Sequence, residues 1–164
     1  MQSVDHSPLF SPRLPRILSL PFVLIPDRAH SMALVTVLNQ VFATALEEGE
    51  LDYLQGRTVH IHVQDLQLEY RVTLTQGRLA TDRVDTRPDL SITGTVYAFL
   101  QLATRREDTD TLFFQRRLHM EGDTELGLEV KNFLDGLDLK SLWLPRQLET
   151  ILQRTLVLYE RLFS

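Results

Sequence analysis

The sequence predicts an α+β domain in which helices cover a five-stranded sheet, and three observations lead to that class. Between positions 59 and 92 apolar residues recur at every second position, the period of strands with one buried face. On either side of that block they recur every three or four residues, the period of amphipathic helices. The segment 108–134, DTDTLFFQRRLHMEGDTELGLEVKNFL, joins a strand, a glycine turn and a helix without an evident nucleophile or metal-ligand box.

Taken in order, Asp27 or Ser31 can cap a first helix running to about Glu48, with Leu34, Leu38, Val41, Phe42 and Ala45 as its stripe and Gly49 as its stop. Val59, Ile61 and Val63 alternate with His60, His62 and Gln64 in a first strand, which Gln64 and Asp65 can turn. Leu66, Leu68, Tyr70, Val72 and Leu74 give the clearest strand signal, and Gln76 and Gly77 offer a hairpin into a third strand over 78–83. Leu90 and Ile92 mark a fourth strand after the turn-prone Pro88 and Asp89. Gly94 and Thr95 lead into a short helix in which Val96, Phe99, Leu100 and Ala103 share one side. Residues 105–110 are expected to form a charged surface loop, 112–115 a helical turn and 116–121 a fifth strand, where Leu118 and Met120 alternate with His119 and Glu121. Gly122 permits a sharp change of direction, and Asp123 caps a helix with Leu126, Val130, Phe133, Leu134 and Leu137 as its apolar stripe. Beyond Pro145 a final helix carries Leu148, Ile151, Leu152, Leu156, Tyr159 and Phe163 on one face. The organisation expected is a proline-rich apolar arm over 1–30, a domain over 31–137 and an amphipathic helical extension over 138–164.

Composition narrows function. A chain of 164 residues fits one domain with extensions and can bury a core without staples. Its 22 acidic side chains outnumber 17 basic ones for a formal charge of −5, which argues against nucleic acid as a partner. Without cysteine there is no disulfide, thiolate nucleophile or usual iron–sulfur ligation by this chain, in keeping with a cytoplasmic location. In the arm, the apolar run 17–25 is about half the length of a membrane span and contains Pro21. Arg13 and Arg16 precede that run, but Asp27 and Arg28 follow it and no A-x-A cleavage pattern appears. The arm therefore either packs on the domain or makes a peripheral membrane contact through Leu14, Ile17, Leu18, Phe22 and Leu24.

No catalytic or metal site is predicted. His60 and His62 project from one strand face and His119 from another strand, but alternating polar positions on an amphipathic strand require only water. Glu121, Asp123 and Glu125 flank a helix start, where capping and the helix dipole account for carboxylates. Ser91 and Ser141 lack the neighbours of a nucleophile elbow. Phe99, Phe113, Phe114, Phe133 and Trp143 read individually as core.

The run Leu118, Met120, Gly122, Asp123 entering a small apolar helix resembles the sterol carrier protein type two family, whose last strand passes through a Gly-Asp or Gly-Asn turn into such a helix. PDLSITGT, at 88–95, matches the family's short strand entering a helix, and the resemblance covers roughly 33–137. Arg117 departs from the glycine or lysine that many members carry before the last strand, which favours a bacterial branch of ubiquinone-biosynthesis accessory factors. The resemblance implies a largely antiparallel sheet with an apolar lipid cavity, and no catalysis. Its wall is expected to draw on Phe99, Leu100, Phe113, Phe114, Leu118, Met120, Val130, Phe133 and Trp143, with Arg116 and Arg117 able to receive a phosphate or phenolic oxygen at the mouth. No cofactor is implied beyond a bound lipid or prenylated quinone intermediate. The implied partners are hydrophobic ubiquinone intermediates of the oxygen-independent pathway and UbiU- and UbiV-like iron–sulfur proteins; apart from the resemblance, a second copy of the chain, as a homodimer, stays open as a partner. The alternative is a phospholipid-binding adaptor that docks on membranes.

Overall fold

The computed structural model describes residues 26–82, 87–137 and 146–163. The expectations for the N-terminal arm, for Ser141 and for Trp143 lie outside them. Helix α1 (Asp27–Val41) is followed by α2 (Ala43–Glu47) and a 3-10 turn (Asp52–Leu54). Strands β1 (Val59–Val63), β2 (Leu68–Thr75), β3 (Arg78–Thr81) and β4 (Leu90–Gly94) come next. Helices α3 (Val96–Ala103) and α4 (Thr109–Phe114), strand β5 (Leu118–Gly122), and helices α5 (Thr124–Gly136) and α6 (Arg146–Phe163) complete the chain.

The sheet has the order β3-β2-β1-β4-β5 and is largely antiparallel, the central β1–β4 pair alone being parallel. Its register puts Tyr70, Ile61, Ile92 and Met120 in one row across four strands. Because side chains alternate across a strand, the same face carries Val59, Val72, Leu90 and Leu118. Of these, Val59, Val72, Leu90 and Ile92 meet Leu51, Leu54, Leu126 and Val130 in the main core, with Ile61, Met120 and, from the first helices, Val35, Leu38 and Phe42 packed against it, whereas Leu118 joins Ala98 and Leu112 in a separate cluster. The opposite face carries His60, His62, Glu69, Arg71, Ser91, Thr93, His119 and Glu121.

Several boundaries differ from the sequence reading for identifiable reasons. The first helix starts after Pro26 without a side-chain cap and is interrupted at Phe42, whose φ of −100° and ψ of 18° leave the helical range. Asn39 fixes α1 to β3 by pairing its amide with the backbone of Leu79, donating to the carbonyl at 2.8 Å and accepting from the N–H at 2.9 Å. β2 begins at Leu68 because Gln67 takes a φ of 53°, and β5 begins at Leu118 because Arg116 takes a φ of 57°. The segment expected as loop over 105–110 ends in a helix, since Asp108 accepts a hydrogen bond from the Thr111 N–H at 2.6 Å and starts α4 at Thr109.

In α3 the expected stripe is also displaced. Tyr97, Ala98 and Gln101 are the buried positions, and Val96, Phe99 and Leu100 are half-buried. This helix is covered twice: Ala98 packs on Leu112 and Leu118, while Tyr97 packs on Leu156 and Tyr159 of α6. Polar contacts reinforce that second layer. Tyr159 donates to Asp65 at 3.2 Å and stacks on Tyr97, and Tyr97 donates to Glu160 at 3.1 Å. Burial first, and then the Glu160 carboxylate, push the Tyr97 hydroxyl pKa above the usual phenol range.

Candidate functional site

Strand β5 and helices α4 and α5 form an open groove of about 520 Å³, large enough for a substantial part of a small ligand. It is built by the turn at Gly122 and Asp123. Gly122 has a φ of +129° that side-chain-bearing residues rarely adopt, and it lies directly against the Asp89 carbonyl. Asp123 then accepts a hydrogen bond from the Leu126 N–H at 2.9 Å, and its carboxyl pKa is held low by that bond and by Arg57, 3.0 Å away. The turn sends α5 back along β5. Gly127 permits the close approach, because a Cβ there would come within 3.1 Å of the Met120 sulfur.

The apolar lining comes from Leu90, Phe113, Phe114, Met120 and Leu128. Phe114 is 86% exposed and Leu128 56% exposed, so two large hydrocarbon side chains border the opening in contact with water. The rim charges are mostly matched. Lys131 lies 3.2 Å from Asp110 and 3.0 Å from Asp135, and those bonds raise its pKa, that to Asp135 first. Arg57 pairs with Asp123 at the other end. An interior of hydrocarbon with neutralised borders suits an apolar guest. A second cleft of about 310 Å³ adjoins it across Asp110, where Arg105, Glu107, Asp108 and Asp135 share the lining with Leu102 and Leu134.

The nine residues expected at a lipid wall separate in the structure. Phe113, Phe114 and Met120 line the groove. Leu118 is 2% exposed beneath it with Ala98 and Leu112, and Phe99 touches both that cluster and the main core. Val130 belongs to the main core and Phe133 packs against it, meeting Phe42 edge to face at 5.2 Å. Leu100 faces the α6 side with Tyr97 and Leu156. Trp143 is outside the described residues. Sequence reasoning missed Leu90, Gly127 and Leu128; the one available signal was Leu128, an apolar residue off the core stripe of α5.

The other candidate positions are held in structural contacts. Arg117 donates to Gln101 at 2.9 Å and lies over the Tyr97 ring, so it is directed toward α3, away from the groove lining. Arg116 is exposed. His60 lies 3.4 Å from both Ser91 and Glu69, which places a serine, a histidine and a carboxylate in sequence on the polar sheet face. Ser91, however, sits mid-strand between paired β1 and β5, where neighbouring backbone amides belong to the ladder and cannot converge on an oxyanion. Among the described residues no three His, Cys, Asp or Glu side chains are grouped to hold a metal ion.

The model of the SCP-2 sterol transfer family matches residues 37–135, a span that contains every lining residue of the groove. The chain belongs to this family. Within it, the ubiquinone biosynthesis accessory factor UbiT of Escherichia coli K12 is 41% identical over 138 residues, covering 84% of this chain and 78% of that protein. UbiT of Escherichia coli O157:H7 matches with the same figures. Among solved structures, the UbiJ-SCP2 ubiquinone synthesis protein superposes with a TM-score of 0.55 at 12% identity, over 66% of this chain and 96% of that one, a likeness of fold. The resemblance carried by 88–95 and 118–123 is thus borne out, and in this SCP-2 domain those two segments meet as the β4–β5 pair beside the groove.

Proposed function

We propose that the protein is a noncatalytic, lipid-binding accessory factor of ubiquinone biosynthesis that shelters the prenyl chain of hydrophobic intermediates in the groove between α4, β5 and α5. The observation that carries this reading is the apolar lining of that groove, opened to solvent at Phe114 and Leu128 and bordered by paired charges. Each methylene removed from water contributes about 0.8 kcal/mol, so a few isoprene units suffice for retention without a charged anchor. The likeness to UbiT supplies the pathway. On this reading the protein serves the oxygen-independent branch, presenting substrate to UbiU- and UbiV-like proteins in the cytoplasm.

Native mass spectrometry of the purified chain, followed by extraction and identification of the copurified lipid, tests the proposal. A prenylated benzenoid is the expected guest. A phospholipid would replace the quinone reading with that of a phospholipid-binding adaptor, and a polar metabolite would overturn both.

A further inference from the structure

Helix α6 divides its side chains unequally. Leu156 and Tyr159 are buried against α3 at 1% and 5% exposure. On the outer surface Leu158 is 56% exposed, Leu162 63% and Val157 43%. Residues 154, 158, 161 and 162 follow helical spacing, so Arg154 and Arg161 lie in the same stripe as the two leucines, and both arginines are exposed. Charge is segregated as well. Glu160 turns inward, where it accepts from Tyr97 and pairs with Arg106 at 3.3 Å, which leaves the outer stripe of 153–162 with cationic charge alone. Neither Arg154 nor Arg161 has an ion pair among the described residues. No helix among the described residues is long and apolar enough to cross a membrane.

We infer that this outer stripe of α6 is a docking surface for an anionic lipid bilayer, on which the helix lies flat with Leu158 and Leu162 in the acyl boundary and both guanidiniums at the phosphates. A helix with apolar residues flanked by arginines on one face and no acid there matches the order of charges met on entering such a surface. The arginines' aliphatic stems can follow the leucines inward while their heads stay in the headgroup layer. A second copy of the chain fits less well, because two-fold packing of the stripe on itself would gather four guanidiniums along one seam without a carboxylate. The local positive charge also stands against a formal net charge of −5, so the attraction is specific to this face and not a property of the whole molecule.

Flotation of the full chain with phosphatidylcholine vesicles containing about one-third phosphatidylglycerol tests the assignment. The wild-type chain is expected to float with these vesicles, to float much less with pure phosphatidylcholine, and to be released by high salt. Arg154→Glu with Arg161→Glu, and separately Leu158→Ser with Leu162→Ser, are each expected to reduce partitioning at least about tenfold. Because all four side chains are exposed, both double variants should keep the wild-type melting temperature. Wild-type flotation by the two variants would overturn the inference and move membrane contact elsewhere on the chain. Equal wild-type binding to neutral and anionic vesicles would overturn it too, as would a variant that changes only the oligomeric state, which would make the stripe a contact between copies. Copurified lipid measured on the same variants keeps this test distinct from that of the groove, since neither pair of substitutions touches the groove lining.

Discussion

Replacing Phe114 by serine separates ligand binding from folding more cleanly than any other change in the groove. The ring is 86% exposed at the opening, so its loss should leave stability within about 0.5 kcal/mol of wild type. A guest chain lying along Phe113, Met120 and Leu128 must cross the Phe114 ring and remove part of it from water. A phenylalanine side chain can bury about 150–250 Å², and covering roughly 80 Å² at about 25 cal/mol per Å² contributes about 2 kcal/mol. That corresponds to about a thirtyfold increase in Kd. Displacement of a fluorescent fatty acid by a solubilised prenylated phenol, read beside the melting temperature, measures both quantities. An affinity within about threefold of wild type in a variant of unchanged stability would refute the groove as the site, whatever lipid copurifies.

The contrast between Phe113 and Phe114 also illustrates what the sequence could convey. The adjacent aromatics read as core, yet in the six-residue α4 Leu112 takes the fully buried position, Phe113 is half-buried, and Phe114 emerges. A helix of barely two turns has too few residues for periodicity to fix its rotation. The alternation in β1 and β2, the Gly122 turn and the Asp123 cap were legible because each depends on neighbours within a few residues. Gly122 was legible as a turn, but its approach to Asp89 depends on a strand pairing across more than thirty residues. The buried side of α3 was misread for a similar reason. Its second covering layer comes from α6, held by a Tyr159–Asp65 bond that spans 94 positions. Val130 and Phe133 were legible as covered apolar residues, and in the structure Val130 lies in the main core with Phe133 packed against it; local periodicity reports that a residue is covered, not what covers it.

Three further outcomes follow from the elements that frame the groove. Leu112→Ala, at a position with 0% exposure, should cost about 3 kcal/mol and lower the melting temperature by roughly 6–12 °C, measured by calorimetry. For Asp123, the Leu126 N–H and then Arg57 hold the folded carboxyl pKa below its unfolded value. Its contribution is therefore complete above that unfolded value and is lost as pH falls through the lower folded one, so Asp123→Asn should flatten the acid limb of a melting-temperature-against-pH curve. The last outcome concerns Gly122, which combines two constraints that Gly77 separates. Both have positive φ, +129° and +71°, but a Cβ on Gly77 meets open space whereas one on Gly122 collides with the Asp89 carbonyl. That carbonyl accepts from the Asp123 N–H at 2.8 Å, and the Asp89 side chain accepts from the Thr58 N–H at 2.7 Å. Displacing Asp89 therefore disturbs the starts of β1, β4 and α5 together. Gly77→Ala should cost about 1 kcal/mol from backbone strain alone, and Gly122→Ala more than twice that, with weakened lipid binding because Gly122 itself lines the groove. Equal losses of stability in the two variants, measured by urea titration, would mean that neither the contact with Asp89 nor the φ of +129° costs more than the ordinary left-handed turn at Gly77.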